Sequence, residues 1–356
     1  MGTMTTDGAP RARAVDPRSQ VVVAVDGGGS KTDAVALDLE GTVLGFARGG
    51  ASNAQTRGLA TAVGVVDGLV SRVRAEAGLP VAAVGAYLAG LDLPQEITTF
   101  HAAVADLAWA REAPVHLDND MFALLRTGTD ALDAVAVVCG TGINCVGVRA
   151  DGRDARFPAL GPISGDWGGG AGIAEEALWY AARAEDGRGA PTAFTTLIPR
   201  YFGERDLTAV VEGLHFGRIA HDELAGLAPV VLEAARAGDP VARSIVERLG
   251  DEIGLLARVT LERLDLHDVP VPIVLGGGVL AAGDPGLLAR VRDAVAPAFP
   301  RAELLPTRQR PIVGAAVLTL ADAGAGADAI ARARAQVAAV TEAPATEASV
   351  ADAAVG

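Results

Sequence analysis

The stretch AVDGGGSKTD, residues 24–33, decides how this sequence is read. A run of valines closes on Asp26, three glycines follow, and an apolar pattern resumes at Ala34. Neither common glycine-rich phosphate motif fits. G-x-x-x-x-G-K-[ST] needs a glycine where Ser30 stands and G-x-G-x-x-G needs one at Thr32. Both also need a helix next, whereas 32–39 followed by Glu40-Gly41 reads as strand and turn. What remains is a β-hairpin whose tip is all backbone. Successive N–H groups without Cβ atoms in the way can converge on phosphoryl oxygens, Lys31 adds charge, and Asp26 at the strand end suits a magnesium ion held through water. A tight hairpin with no ligand satisfies the same residues.

The layout occurs twice. VVVAVDGGGSKTDAVALDLEGTVLG from Val21 and AVAVVCGTGINCVGVRADGRDAR from Ala134 each give an apolar strand, a glycine turn, a second strand, an acidic-Gly turn and a third segment. Two copies predict two similar domains around a cleft, 20–118 and 119–324, with a last helix, 311–323, able to pack back on the N-terminal one. Strands are expected at 21–25, 34–39, 81–88, 115–117, 134–138, 145–149 and 271–275, alternating with helical patterns, which makes the class α/β. Residues 1–19 read as a disordered N-terminus, and the Ala, Thr, Glu and Asp tract 325–356 as a low-complexity tail, disordered in part.

Composition narrows the chemistry. At 356 residues, 50% hydrophobic and with 44 glycines, the chain buries a proper core. A net charge of −14 argues against nucleic acid or an anionic membrane as partner and for small molecules. No apolar run is long enough to span a bilayer and no leader pattern precedes residue 20, so a cytoplasmic protein is expected. Two cysteines, Cys139 and Cys145, exclude a disulfide framework and a four-cysteine zinc site. Lys31 is the only lysine, and Asn53, Asn119 and Asn144 are the only asparagines; these exceptions fall in or beside the glycine-rich turns.

Other stretches add candidate side chains. CGTGIN, 139–144, repeats the phosphate-shaped hairpin with Gly140, Thr141 and Gly142. VHLDND, 115–120, offers Asn119 and Asp120 as helix caps and leaves Asp118 as a second metal-side carboxylate. At 274–278, VLGGG lets a flat adenine ring approach the backbone or simply turns the chain. AYLAGLDLPQE, 86–96, sets Asp92 where a catalytic base is needed, although Asp92 before Pro94 and Gln95 equally fits a helix N-cap. Asn53 lies in a loop that turn chemistry explains as well. Asp166 stands among glycines before a helix, where a carboxylate can accept hydrogen bonds while the backbone stays close, and Trp167 is either a stacking face or core.

The Asp-Gly-Gly-Gly-Ser-Lys-Thr hairpin, the Gly-Thr-Gly-x-Asn hairpin, a Gly-Asp-x-Gly-Gly-Gly turn and a late Gly-Gly-Gly turn, in that order, resemble the sugar kinase, Hsc70 and actin superfamily. More narrowly, they resemble the BadF/BadG/BcrA/BcrD ATPase group that contains N-acetylglucosamine kinases. The resemblance implies two ribonuclease-H-like, actin-like ATPase domains around a central cleft. It implies ATP phosphates held by Gly27, Gly28, Gly29, Ser30, Lys31, Thr32, Gly140, Thr141 and Gly142, with Gly276, Gly277 and Gly278 at the adenosine. Asp26 and Asp118 would serve Mg2+. It also implies an amino sugar held by Asn53, Gly90, Asn144, Asp166 and Trp167, with Asp92 as catalytic base. The function so implied is an ATP-dependent kinase acting on the 6-hydroxyl of N-acetylglucosamine or a related amino sugar such as glucosamine, in a chain that can form a homodimer. Two alternatives stand beside it. One is an ATPase activator of a 2-hydroxyacyl-CoA-type dehydratase, whose relatives bridge an iron-sulfur cluster with two cysteines per chain. The other is a sugar-responsive regulator without turnover, for which no DNA-binding segment is evident.

Overall fold

The computed structural model describes residues 16–342. Its strands form two five-stranded sheets. In the first, β1 (Val21–Gly27) pairs antiparallel with β2 (Thr32–Asp38), which pairs antiparallel with β3 (Val43–Gly49). On its other side β1 runs parallel to β4 (Val81–Leu88), and β4 parallel to β5 (Val115–Asn119). In the second, β6 (Ala134–Cys139), β7 (Ile143–Val148) and β8 (Asp154–Arg156) make the antiparallel part. Then β9 (Val271–Gly276) and β10 (Ala302–Pro306) follow in parallel beside β6.

Renumbered within each sheet, both orders read 3-2-1-4-5 with the same strand directions. The repeated sequence layout is therefore a repeated topology, that of two ribonuclease-H-like domains. The first expected strand extends through Asp26 and Gly27, because a hairpin keeps pairing up to its turn. Ala302–Pro306 was not anticipated; its mixed Ala-Glu-Leu-Leu-Pro pattern is short, and it lies at the sheet edge.

Both sheets are covered on two faces, which is why β1 and β6 are near-continuous apolar runs. Helix Leu59–Ala77 packs one face of the first sheet through Val66, Val70 and Val73. Helix Pro311–Asp322 packs the other, and Gly314 meets helix Asp120–Gly128 so closely that a Cβ would stand 1.8 Å from the Ala123 carbonyl oxygen. The Asp120 helix carries Ala123 toward the first domain and Met121, Leu124 and Leu125 onto the second sheet. It therefore belongs to both cores. The cleft and its hairpins open at the carboxyl ends of β1 and β6, the end where parallel strands of α/β proteins place their ligands.

Part of the expected tail is ordered. Residues Ala327–Glu342 form a helix that buries Ala333 and Val337 on the first domain. Alanine spacing, poor in large side chains, suffices here because Arg332 and Arg334 bond backbone carbonyls of Glu40 and of Arg126 and Thr127, and Gln336 accepts from the Val43 N–H. The remaining N-terminal and tail residues, 1–15 and 343–356, lie outside the described residues. Among the described residues no helix is long and apolar enough to cross a membrane.

Candidate active site

The first hairpin closes through Gly28 N–H to Lys31 O at 2.9 Å, leaving Gly29 and Ser30 exposed at the tip. The other residues of the turn are occupied by the protein. A Cβ on Gly27 would strike Ser52 Oγ at 2.2 Å. Thr32 is fully buried, with its hydroxyl donating to Gly50 O at 2.7 Å and bonded to Ser52 Oγ at 2.8 Å, so it offers no atom to a ligand. That corrects its assignment to the phosphate site. Asp33 is buried and takes the Arg48 guanidinium in two bonds, 2.6 and 2.9 Å.

The second hairpin closes through Gly140 N–H to Gly142 O at 3.0 Å and exposes Thr141 and Gly142. It is braced from behind: Gly170 and Ala171, opening helix Gly169–Glu185, donate to Gly140 O and Thr141 O. The late glycine turn abuts the same hairpin. Gly277, at φ +89°, lies so close that a Cβ would be 2.4 Å from Cys139 O, and Gly276 faces Leu124. Packing therefore explains Gly276 and Gly277, while Gly278 faces open space.

Three carboxylates line the cleft. Asp26 is pushed well above its usual range by burial, then by Asp120 and Asp33, with Lys31 and the Ile312 N–H opposing. Asp120 is raised to about 7 by burial and by Asp92. Asp92 is raised to about 6, chiefly by burial, with Glu96 and Asp166 adding to the shift and amide donors opposing it. The charge of Asp120 thus acts on Asp26, and that of Asp92 on Asp120.

Asp92 is not a helix cap. Helix Pro94–Val104 is begun by Glu96, whose Oε2 accepts from the N–H groups of Asp92 and Leu93 at 2.9 and 2.8 Å. The Asp92 carboxylate instead faces amides: Gln55 Nε2 at 3.0 Å, Asn119 Nδ2 at 2.9 Å and, from the second domain, Asn144 Nδ2 at 3.4 Å. Asn119 and Asn144 are aimed by their own Oδ1 atoms, which accept from Met121 N and Cys145 N. Asn53 caps the short helix Ala54–Arg57 through Oδ1, and buried Gly90, at φ +81°, leaves room for it. Gly90 serves Asn53 rather than presenting an atom of its own to the cleft.

Asp118 lies elsewhere. Its carboxylate takes Arg156 in two bonds, 2.5 and 3.1 Å, and Arg156 stacks on Phe122. In the sheet Asp26 and Asp118 both pair with Tyr87, two strands or about 10 Å apart. The structure therefore gives Asp118 a protein counter-ion, Arg156, where the sequence left it free for a metal. Asp26, with Asp120 beside it and Asp33 already paired to Arg48, fits a magnesium ion held through water. In the second domain Asp166 accepts from Ser164 Oγ at 2.5 Å, and Trp167 lies under Arg248 at 3.8 Å. Both line a cavity of about 610 Å³ that also touches Thr141, Gly142, Trp179 and Tyr180. Cys139 and Cys145 are fully buried and pushed to about 12 by that burial, so neither offers a thiolate to a shared cluster.

A family model for the BadF/BadG/BcrA/BcrD ATPase family matches residues 23–319. The chain belongs to that family. It is 24% identical over 315 residues to an N-acetyl-D-glucosamine kinase of Dictyostelium discoideum, covering 85% of this chain and 98% of that one. An N-acetylmuramic acid/N-acetylglucosamine kinase of Clostridium acetobutylicum is 26% identical over 262 residues, 73% of this chain and 85% of its own. Among solved structures, a candidate N-acetylglucosamine kinase from Chromobacterium violaceum superposes with a TM-score of 0.65 at 28% identity, covering 85% of this chain and all of its own. The family match ends before helix Ala327–Glu342. Sequence reasoning took Asp120 for a cap; the cap is Asn119, and Asp120 is the first helical residue, free to face the cleft. An acid directly after a capping asparagine at a strand end was the available signal.

Proposed function

We propose that the chain is an ATP-dependent kinase that transfers the γ-phosphoryl group to the 6-hydroxyl of N-acetylglucosamine or a closely related amino sugar. One observation carries this reading: two acids of raised pKa, Asp92 and Asp120, stand between two exposed glycine hairpins of one repeated topology. The kinase relatives support the reaction type and the sugar. Gly28, Gly29, Ser30 and Lys31 on one side, and Gly140, Thr141 and Gly142 on the other, hold the phosphates, and the Gly278 side of the late turn receives the nucleoside. Asn53, Asn144, Asp166 and Trp167 border the acceptor. Mg2+, which neutralises charge on the phosphates in such reactions, would be held beside Asp26.

The two cleft acids divide the work. Asp92, its oxygens already approached by three amides, is kept ionised for holding an acceptor hydroxyl. Asp120, tuned to about 7, is the better proton acceptor near neutral pH. As the sugar oxygen bonds to phosphorus and the bridge to the β-phosphate breaks, the hydroxyl proton passes to Asp120. The dehydratase-activator reading loses its support with the burial of both cysteines. A coupled ADP-release screen across amino sugars tests the proposal, with Asp92→Asn expected to raise acceptor KM about tenfold and leave the KM for ATP unchanged. No ADP release with any amino sugar would overturn it.

A further inference from the structure

Arg310, unremarked in the sequence, ends the loop before helix Pro311–Asp322 and occupies its N-cap position without making a side-chain cap. Its Nη1 is buried and, among the described residues, has no hydrogen-bond partner. Only Arg74 Nε shares that condition there, and its guanidinium is already paired with Glu112. Buried polar groups are almost always bonded, and an unpaired guanidinium nitrogen is costly to keep.

The surroundings show what it faces. Two residues on, the Ile312 N–H reaches Asp26, so Arg310 stands beside the foot of the first hairpin. Burial lowers the Lys31 ammonium, Asp33 opposes, and the charges of Arg310 and Arg48 lower it further. Arg48 is neutralised by Asp33. Lys31 and Arg310 are left as converging cations with Asp26 as the one remaining acid between them, in a chain of net charge −14, beside a turn with an exposed backbone tip. An anion there would satisfy the orphaned nitrogen and relieve the repulsion between the two cations.

We propose that Arg310 is a phosphate-binding residue of the nucleotide site, bonding with Lys31 the terminal phosphates that the first hairpin cradles. The assignment rests on the kinase reading above. It implies an unusual pair of effects, because removing Nη1 breaks no protein hydrogen bond and leaves only packing to be lost from the ligand-free fold.

Calorimetric titration with Mg-ATP and with pyrophosphate, together with thermal unfolding of the ligand-free protein, tests it on wild type, Arg310→Ala and Arg310→Lys. Arg310→Ala is expected to weaken Mg-ATP about 10- to 100-fold with the ligand-free Tm unchanged or raised. Arg310→Lys should recover part of the affinity, since an ammonium keeps the charge and loses the fork. Unchanged Mg-ATP affinity in Arg310→Ala, or a loss in Arg310→Ala that lysine does not reduce at all, overturns the assignment. A wild type that takes pyrophosphate but not Mg-ATP removes the kinase reading and leaves Arg310 in place; binding of neither removes both.

Discussion

The two halves share one strand order but contribute different things to the cleft. The first brings charge, Asp26, Lys31 and Asp92, with Asp120 added by the helix shared between the halves and Arg310 entering from the helix packed on the first sheet. The second brings a neutral hairpin of Gly140, Thr141 and Gly142, with Asn144 beyond it, and carboxylates further out at Asp166, Glu175 and Glu176. Their supports differ likewise. The first hairpin is anchored by side chains, Thr32 on Ser52 and Asp33 on Arg48, and the second by backbone contact with Gly170, Ala171 and Gly277. Both hairpins keep the shape that exposes N–H groups, while the acids of raised pKa gather beside the first.

The sharpest way to break this contrast is to remove the charge of Asp120. Asp120→Asn is expected to lower kcat by about 10²- to 10⁴-fold, with ATP affinity retained. In the wild type, kcat should rise with pH through about 7 as Asp120 loses its proton. Stability runs the other way. The folded pKa of about 7 exceeds the usual carboxyl value of about 4, so this group's contribution is full below pH 4 and is lost as pH rises through 7. Asp120→Asn should therefore match the wild-type Tm near pH 3 and exceed it at pH 8. Full kcat in the variant would return the proton to Asp92.

Next in size is a change on the neutral side. Gly277→Ala forces a Cβ to within 2.4 Å of Cys139 O at a φ of +89°, so about 2–4 kcal/mol of stability should be lost in denaturant unfolding. Gly278→Ala, facing open space, is the matched control. Equal stability of the two variants would show that the late turn does not depend on its contact with the second hairpin.

Much of this was legible beforehand. The paired layouts at Val21 and Ala134 gave both sheets their hairpins, because a valine-rich run ending at glycines specifies strand and turn within a few residues. What failed was partner choice between residues distant in sequence. Asp118 looked free until Arg156, 38 positions on, closed over it. Asp92 fitted a cap until Glu96 took the backbone N–H groups instead. Arg310 carries no motif, since its distinction is the absence of an acceptor around one nitrogen. Helix Ala327–Glu342 is rich in alanine, with only Ile330, Val337 and Val340 as larger apolar residues, and it adds arginine and glutamine bonds to backbone to its packing.

The smallest expected effects ask whether the two tips really do the same work. Gly29 and Gly142 each have nothing within 4 Å of where a Cβ would stand, and neither adopts a positive φ. Alanine at either position should change stability by no more than about 0.5 kcal/mol, so any loss of nucleotide affinity reports contact with the ligand rather than damage to the fold. With Lys31 and Arg310 still attracting the phosphates, Gly29→Ala should weaken Mg-ATP only a few-fold. Gly142→Ala acts where backbone is all the hairpin offers, and should weaken it by more. Equal losses would mean that charge on the first side does not compensate for a crowded tip, and the division of labour between the halves would have to be given up.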